Sequence, residues 1–124
     1  MTQKIIKVGI MSFEDYKKRA LAIVRGEYKR KKDEPKIWFE SLQSMAQVLG
    51  PENQVLLRLI ADKNPQSLTE LAELSGRKKS NLSRTLRKLD AFGIVELSKS
   101  KGRLIPKVKA LSFQVEFRIH LQAA

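Results

Sequence analysis

Ser67-Leu68-Thr69-Glu70-Leu71-Ala72-Glu73-Leu74-Ser75-Gly76, with Arg77 to Gly93 behind it, is the stretch that decides the fold. Ser67 and Glu70 stand three apart, the spacing of a capping box, so a helix starts at Leu68. Leu68, Leu71 and Ala72 share one side of it. Gly76 can adopt positive φ and turn the chain sharply after the helix. The pattern predicts a second helix over about Lys79–Phe92, stopped by Gly93. With Leu82 set at zero and about 100° per residue, Leu86 and Leu89 fall within roughly 40° of it. Ser80, Arg84 and Arg87 then fall opposite, at roughly 140–200°. Arg77 and Lys88 flank this polar face, and Asn81 and Ser83 lie at its edges.

Past Gly93 the hydrophobic period drops to two. Ile94-Val95-Glu96-Leu97 reads as a strand and Ser98–Gly102 as a turn. Arg103-Leu104-Ile105 reads as the returning strand, closed by Pro106. Lys99, Lys101 and Arg103 surround the tip. Upstream, Trp38, Phe39, Leu42, Met45, Ala46 and Leu49 recur at helical spacing from Ile37, and Gly50-Pro51 stops them. Pro51 suits the first turn of the next helix, which carries Val55, Leu56, Leu59 and Ile60 and ends near Lys63-Asn64-Pro65. Helix, helix, Gly turn, helix, hairpin is the order of a winged helix-turn-helix, here over 37–111. The fold class is α+β, mainly helical.

Two flanking pieces join the same single domain. In residues 1–36, Ile6, Val8 and Ile10 alternate as a strand over Lys4–Ile10. Ser12 and Asp15 then cap a helix carrying Phe13, Tyr16, Ala20, Ile23, Val24 and Tyr28 to about Lys31, with Gly26 its weak point. Lys29–Pro35 reads as a solvated, charged connector. In residues 112–124, Ser112–Leu121 alternates strictly. Phe113, Val115, Phe117, Ile119 and Leu121 share one face; Gln114, Glu116, Arg118 and His120 share the other. The two strands are expected to pair with each other, within a chain or between chains. These extra amphipathic elements, 1–36 above all, are expected to build a homodimer. Two copies would hold two recognition helices about one turn of DNA apart, roughly 34 Å, over an inverted repeat.

Composition narrows the chemistry. The 124 residues carry 25 Lys and Arg against 13 Asp and Glu, a net charge of +12. Such a field favours a polyanionic partner. The chain has no Cys and 1 His, which excludes thiolate chemistry and leaves no basis for a metal site or a His-dependent triad. No Gly-rich phosphate loop or carboxylate pair in an apolar context occurs, so no enzyme, cofactor or metal is expected. The seven Phe and Tyr rings read as buried rather than as stacking platforms. There is no membrane-length apolar run and no signal-peptide layout at Met1–Lys4, which predicts a cytoplasmic, nucleoid-associated protein.

The basic face opposite the leucines suits a helix lying in the major groove of double-stranded DNA. Arg can bond bidentately to guanine, Asn to adenine, and Ser to phosphate or base. The candidate contacts are Arg77, Lys78, Lys79, Ser80, Asn81, Ser83, Arg84, Arg87 and Lys88. Lys99, Lys101 and Arg103 of the wing are expected to position the protein on the backbone or minor groove. The expected function is a sequence-specific transcriptional regulator, most simply a repressor by occlusion. An RNA-binding winged helix is the competing reading of the same charge.

Leu68–Ile105 resembles the winged-helix regulators of the MarR/ArsR superfamily. The longer span from Trp38 to Leu121 resembles a smaller bacterial and archaeal branch of DNA-binding proteins. The residues that carry this are Trp38-Phe39, Pro51 with Leu56-Leu57, Gly76-Arg77, Ile105-Pro106 and the strand Val115–Ile119. Asn81, Arg84 and Arg87 match polar positions of that branch's recognition helix. The resemblance implies an antitoxin that represses its own operon, with a toxin protein as a further partner. Two features depart from it. Lys78 stands where a small polar N-cap is usual, and it cannot accept a hydrogen bond from the helix N-terminus. The cysteines and histidine clusters of metal-sensing relatives are missing.

Overall fold

Ile6 and Val8 bury one face of β1 (Ile5–Ile10), the central strand of a three-stranded sheet. The computed structural model describes residues 4–119 and 121. After β1, the Ser12 hydroxyl accepts the Asp15 N–H and opens α1 (Phe13–Val24). This helix ends well short of Lys31. Gly26 takes φ 74°, and the N–H groups of Glu27 and Tyr28 both return to the Ala22 carbonyl. The glycine therefore stops the helix rather than merely weakening it.

Ile37–Phe39 is a strand, β2, where a helix was expected. It runs parallel to β1 in the register Val8↔Ile37, Gly9↔Trp38, Ile10↔Phe39. Flanking bonds hold it there: Lys36 N donates to Lys7 O at 3.0 Å, and Met11 N to Phe39 O at 2.9 Å. A β-branched residue followed by two aromatics suits a pleated, half-buried surface, and the partner strand lies far off in sequence. The helix begins only once Ser41 can cap it, as α2 (Leu42–Val48). Next come α3 (Pro51–Lys63), with Pro51 in its first turn, α4 (Leu68–Ser75) and α5 (Lys79–Ala91). Asn64 and Gly76, both left-handed, end α3 and α4.

The hairpin is longer than the sequence pattern suggested. β3 (Val95–Ser100) and β4 (Arg103–Val108) pair antiparallel around a two-residue turn, Lys101-Gly102. Pro106 lies inside β4, opposite Leu97, and does not close the strand. Lys109 N donates to Ile94 O, and counting from that bonded pair puts Pro106 in a non-bonded pair, where its missing N–H costs nothing. β5 (Ser112–Glu116) then pairs with β1 within the chain, in parallel, from Ile5↔Ser112 to Gly9↔Glu116. The strand expected over 112–121 is thus shorter by its second half, and His120 lies outside the described residues.

One core joins sheet and helices. Ile6, Val8, Ile37 and Phe39 belong to the same buried cluster as Leu56, Ile60, Leu71, Leu82, Leu86, Leu89, Ile94 and Val95. Phe39 stacks on Phe92 at 4.5 Å, tying β2 to the end of α5. α1 lies outside this core with no buried residue. It is held by Arg19, which meets Glu34 at 2.7 Å and lies over the rings of Trp38 and Tyr28.

Gly9 lies beneath the Trp38 ring. A Cβ there would come within 2.7 Å of Trp38 Cε3 and 2.9 Å of Pro35 Cγ. Gly9→Ala is expected to destabilise the fold by about 1–3 kcal/mol through overpacking. Urea unfolding followed by the lone Trp38 should show a lower midpoint at unchanged slope.

Candidate nucleic-acid interface

The Ser67 hydroxyl accepts the Glu70 N–H at 3.0 Å, and the Glu70 carboxylate accepts in return from Gln66 N at 3.2 Å. This is a capping box whose second bond comes from one residue earlier. With α4 anchored, Gly76 at φ 72° redirects the chain into α5. Leu82, Leu86 and Leu89 are buried to 1% exposure or less. Their burial turns Ser80, Asn81, Arg84, Arg87 and Lys88 to water, with Ser83 half-buried at the margin. Among the described residues, Arg84 and Arg87 form no ion pair and no side-chain hydrogen bond. The ion pairs there are Lys7–Glu116 and Arg19–Glu34, both outside α5. From Gly76 to Leu89 there is no acidic residue, and the exposed Asp90, one turn past Arg87, forms no ion pair with it among the described residues.

Two residues of the predicted set are engaged otherwise. The Arg77 guanidinium is half-buried and donates to Asn81 Oδ1 through Nε at 3.0 Å and Nη2 at 2.7 Å. It also reaches Thr85 Oγ1 at 3.3 Å and Asn53 Oδ1 at 3.5 Å. Arg77 is therefore a strut between α3 and α5. Asn81 has its oxygen occupied, which leaves only its NH₂ for a ligand; a bidentate pair to adenine needs both groups. Sequence reasoning missed Asn53 and Thr85. Asn53 also donates to Val48 O at 2.9 Å, closing the end of α2. No local pattern announces a contact across 24 residues.

At the start of α5, Lys78 is the N-cap and provides no side-chain cap bond. The exposed Lys78 and Lys79 add positive charge to the positive end of the helix dipole. In the wing, Lys99, Lys101 and Arg103 are all exposed at the hairpin end. Lys101 has φ 54° and Gly102 φ 76°, the geometry of a type I′ turn. The exposed aromatics, Phe13, Tyr16 and Phe117, lie on α1 and past β5, not on α5 or the wing. They correct the expectation that every Phe and Tyr is buried. Arg77→Ala should lower stability by about 1 kcal/mol, a figure reduced for partial exposure. Thermal unfolding beside Arg77→Lys, which keeps the charge but not the forked geometry, checks this.

The family model HVO_A0114 matches residues 48–115, from the end of α2 into β5. A solved structure described as a predicted DNA-binding transcriptional regulator from E. coli is similar over 81% of this chain and 86% of its own, at 13% identity and a TM-score of 0.47. No curated protein matches the chain. The matched span holds α3, α4, α5 and the hairpin and covers more than half of the 124 residues, so the chain belongs to the HVO_A0114 family.

Proposed function

We propose that the protein is a sequence-specific, double-stranded DNA-binding regulator of the MarR/ArsR kind. In this reading it acts as a homodimeric repressor on an inverted repeat, by occupancy rather than catalysis. The observation that carries this is the unpaired Arg84 and Arg87 on the face of α5 opposite a fully buried leucine seam. α5 enters the major groove, and Arg84 and Arg87 supply the bidentate guanine contacts. Ser80, Ser83, Lys79 and Lys88 hold phosphates at its margins. The wing lays Lys99, Lys101 and Arg103 along the backbone or minor groove. The absence of aromatic rings from α5 and the wing, among the described residues, favours a duplex over unstacked RNA bases.

Two copies are supported by apolar surface left uncovered in one. Phe13, Tyr16 and Val24 are exposed on α1, and Phe117, Ile119 and Leu121 past β5. A two-fold pair would set the recognition helices about 34 Å apart. An antitoxin role rests on the family resemblance and is compatible with autorepression.

Selection of bound duplexes from a random pool is the direct test. It should return an inverted repeat with half-site centres about 10 base pairs apart. If about 6–10 phosphates are contacted, affinity should fall roughly 10³–10⁵-fold between 50 and 200 mM salt. Arg84→Ala should cost about 1–3 kcal/mol on the preferred site and relax discrimination there. Lys101→Ala should weaken all sequences about equally. Unchanged discrimination in Arg84→Ala would remove α5 from the groove.

A further inference from the structure

β5 is an outer strand of the sheet order β2-β1-β5, so one of its edges is free. Ser112–Glu116 has no Pro and no Lys, two of the usual guards of such an edge. β1 serves β5 only as far as Gly9↔Glu116, because the chain then leaves for the cap of α1 at Ser12. The alternation of the sequence nevertheless runs on to Leu121. Phe117, Ile119 and Leu121 are 51%, 68% and 90% exposed, an alternating apolar row with no strand partner among the described residues.

An apolar cleft adjoins the same edge. Register sets Phe113 beside Ile6 and Val115 beside Val8, on the sheet face that looks into the core. There the two side chains help line a cleft of about 640 Å³, whose other side is Met45, Leu49 and Leu57. Its lining is mostly aliphatic, a poor place for water.

We infer that a second copy of this chain fills both edge and cleft. β5 and the described residues after it, 117–119 and 121, pair antiparallel with the same segment of the partner, about a two-fold axis at Phe117. The result is one six-stranded sheet. Opposite charge favours this axis: at Val115 or Ile119 the apolar rows also match, but neither pairs Glu116 with Arg118. Centred on Phe117, Glu116 faces the partner's Arg118, Val115 its Ile119 and Phe113 its Leu121. Apolar residues then meet apolar residues throughout, and the two opposite-charge pairs are related by symmetry. An axis at Glu116 or Arg118 sets like charges face to face. An axis between residues sets apolar against polar. Glu116 already pairs with Lys7 at 3.5 Å, so the partner's Arg118 would join an existing cluster. Residues directly opposite share a sheet face, so Ile119 and Leu121 of the partner come down on the cleft side beside Val115 and Phe113. The segment that outruns its own sheet thus finds its neighbour in the partner.

This inference rests on the two-copy reading and fixes its surface. Sedimentation of the full chain, its charge variants and single-cysteine variants tests it. The wild type should be a dimer. Glu116→Arg and Arg118→Glu should each weaken it roughly tenfold or more, and the double swap should restore it. Both positions are exposed, so far-UV circular dichroism and Trp38 fluorescence should not change. The chain has no cysteine, so Phe117→Cys should oxidise to a linked dimer while Gln114→Cys should not. A dimer indifferent to the swaps and uncrosslinked at position 117 overturns the clasp and leaves the two-copy reading standing. A monomer at every concentration overturns both. Stoichiometric uptake of an apolar dye by the wild-type dimer shows the cleft open to a small ligand and overturns its filling by the tail.

Discussion

Burial of Leu82, Leu86 and Leu89 is the constraint on which the rest depends. Three leucines on one stripe of a helix leave no rotational freedom. Turning α5 by half a turn would expose them and would drive Arg84 into an apolar core, where an unpaired guanidinium is far costlier than a lost methyl contact. The seam therefore fixes which groups face water. The surrounding elements are shaped to meet it: α4 supplies Leu71, α3 supplies Leu56 and Ile60, and the segment after Gly93 supplies Ile94 and, at the start of β3, Val95. The basic face is a consequence of that packing and needs no interaction of its own to stay exposed.

Arg77 shows how position in the chain can mislead about role. It begins the basic run and reads as one more contact, yet its guanidinium ties Asn81 and Thr85 of α5 to Asn53 of α3. The same fork that would suit guanine suits three side-chain oxygens equally well. In the proposed complex, Asn81 can read adenine only if Arg77 releases it. Arg84 and Arg87 need no such release, which puts them ahead of Asn81 as readers of sequence.

What could be read from the sequence follows from how local the deciding forces are. Ser67, Gly76, the leucine seam and Gly93 act within a few residues, so α4, α5 and the turn between them were legible. Ile37–Phe39 was not. Its apolar residues continue the helical spacing of Leu42 and Met45, and only β1, far back in the chain, makes a strand the better answer. Pro106 misled for a related reason: whether a proline can stay in a strand depends on which pairs of the ladder are bonded, and that is set at the turn. The end of α1 was half-legible, because Gly26 can be tolerated in a helix or end it. At the site, exposure of Arg84 and Arg87 followed from the wheel. The Arg77 network did not, because Asn53 arrives through the packing of another helix.

Two local choices go against the grain, and both fall on the elements proposed to meet DNA. Ser12, Ser41 and Ser67 each cap the helix that follows and α3 opens on the permissive Gly50-Pro51, yet α5 opens on Lys78 with no cap bond. The hairpin turns on Lys101 at φ 54°, where Asn or Gly would be at ease and another residue costs about 1–2 kcal/mol. A core-driven account explains neither, since both residues are exposed. Both become reasonable if an anion completes them. A phosphate at the start of α5 would accept its first-turn N–H groups and relieve the clash of Lys78 with the helix dipole. A second phosphate would meet the ammonium that the left-handed turn holds at the wing tip. Sequences depart from local preference mainly where function asks it of them, and these two departures converge on one kind of partner.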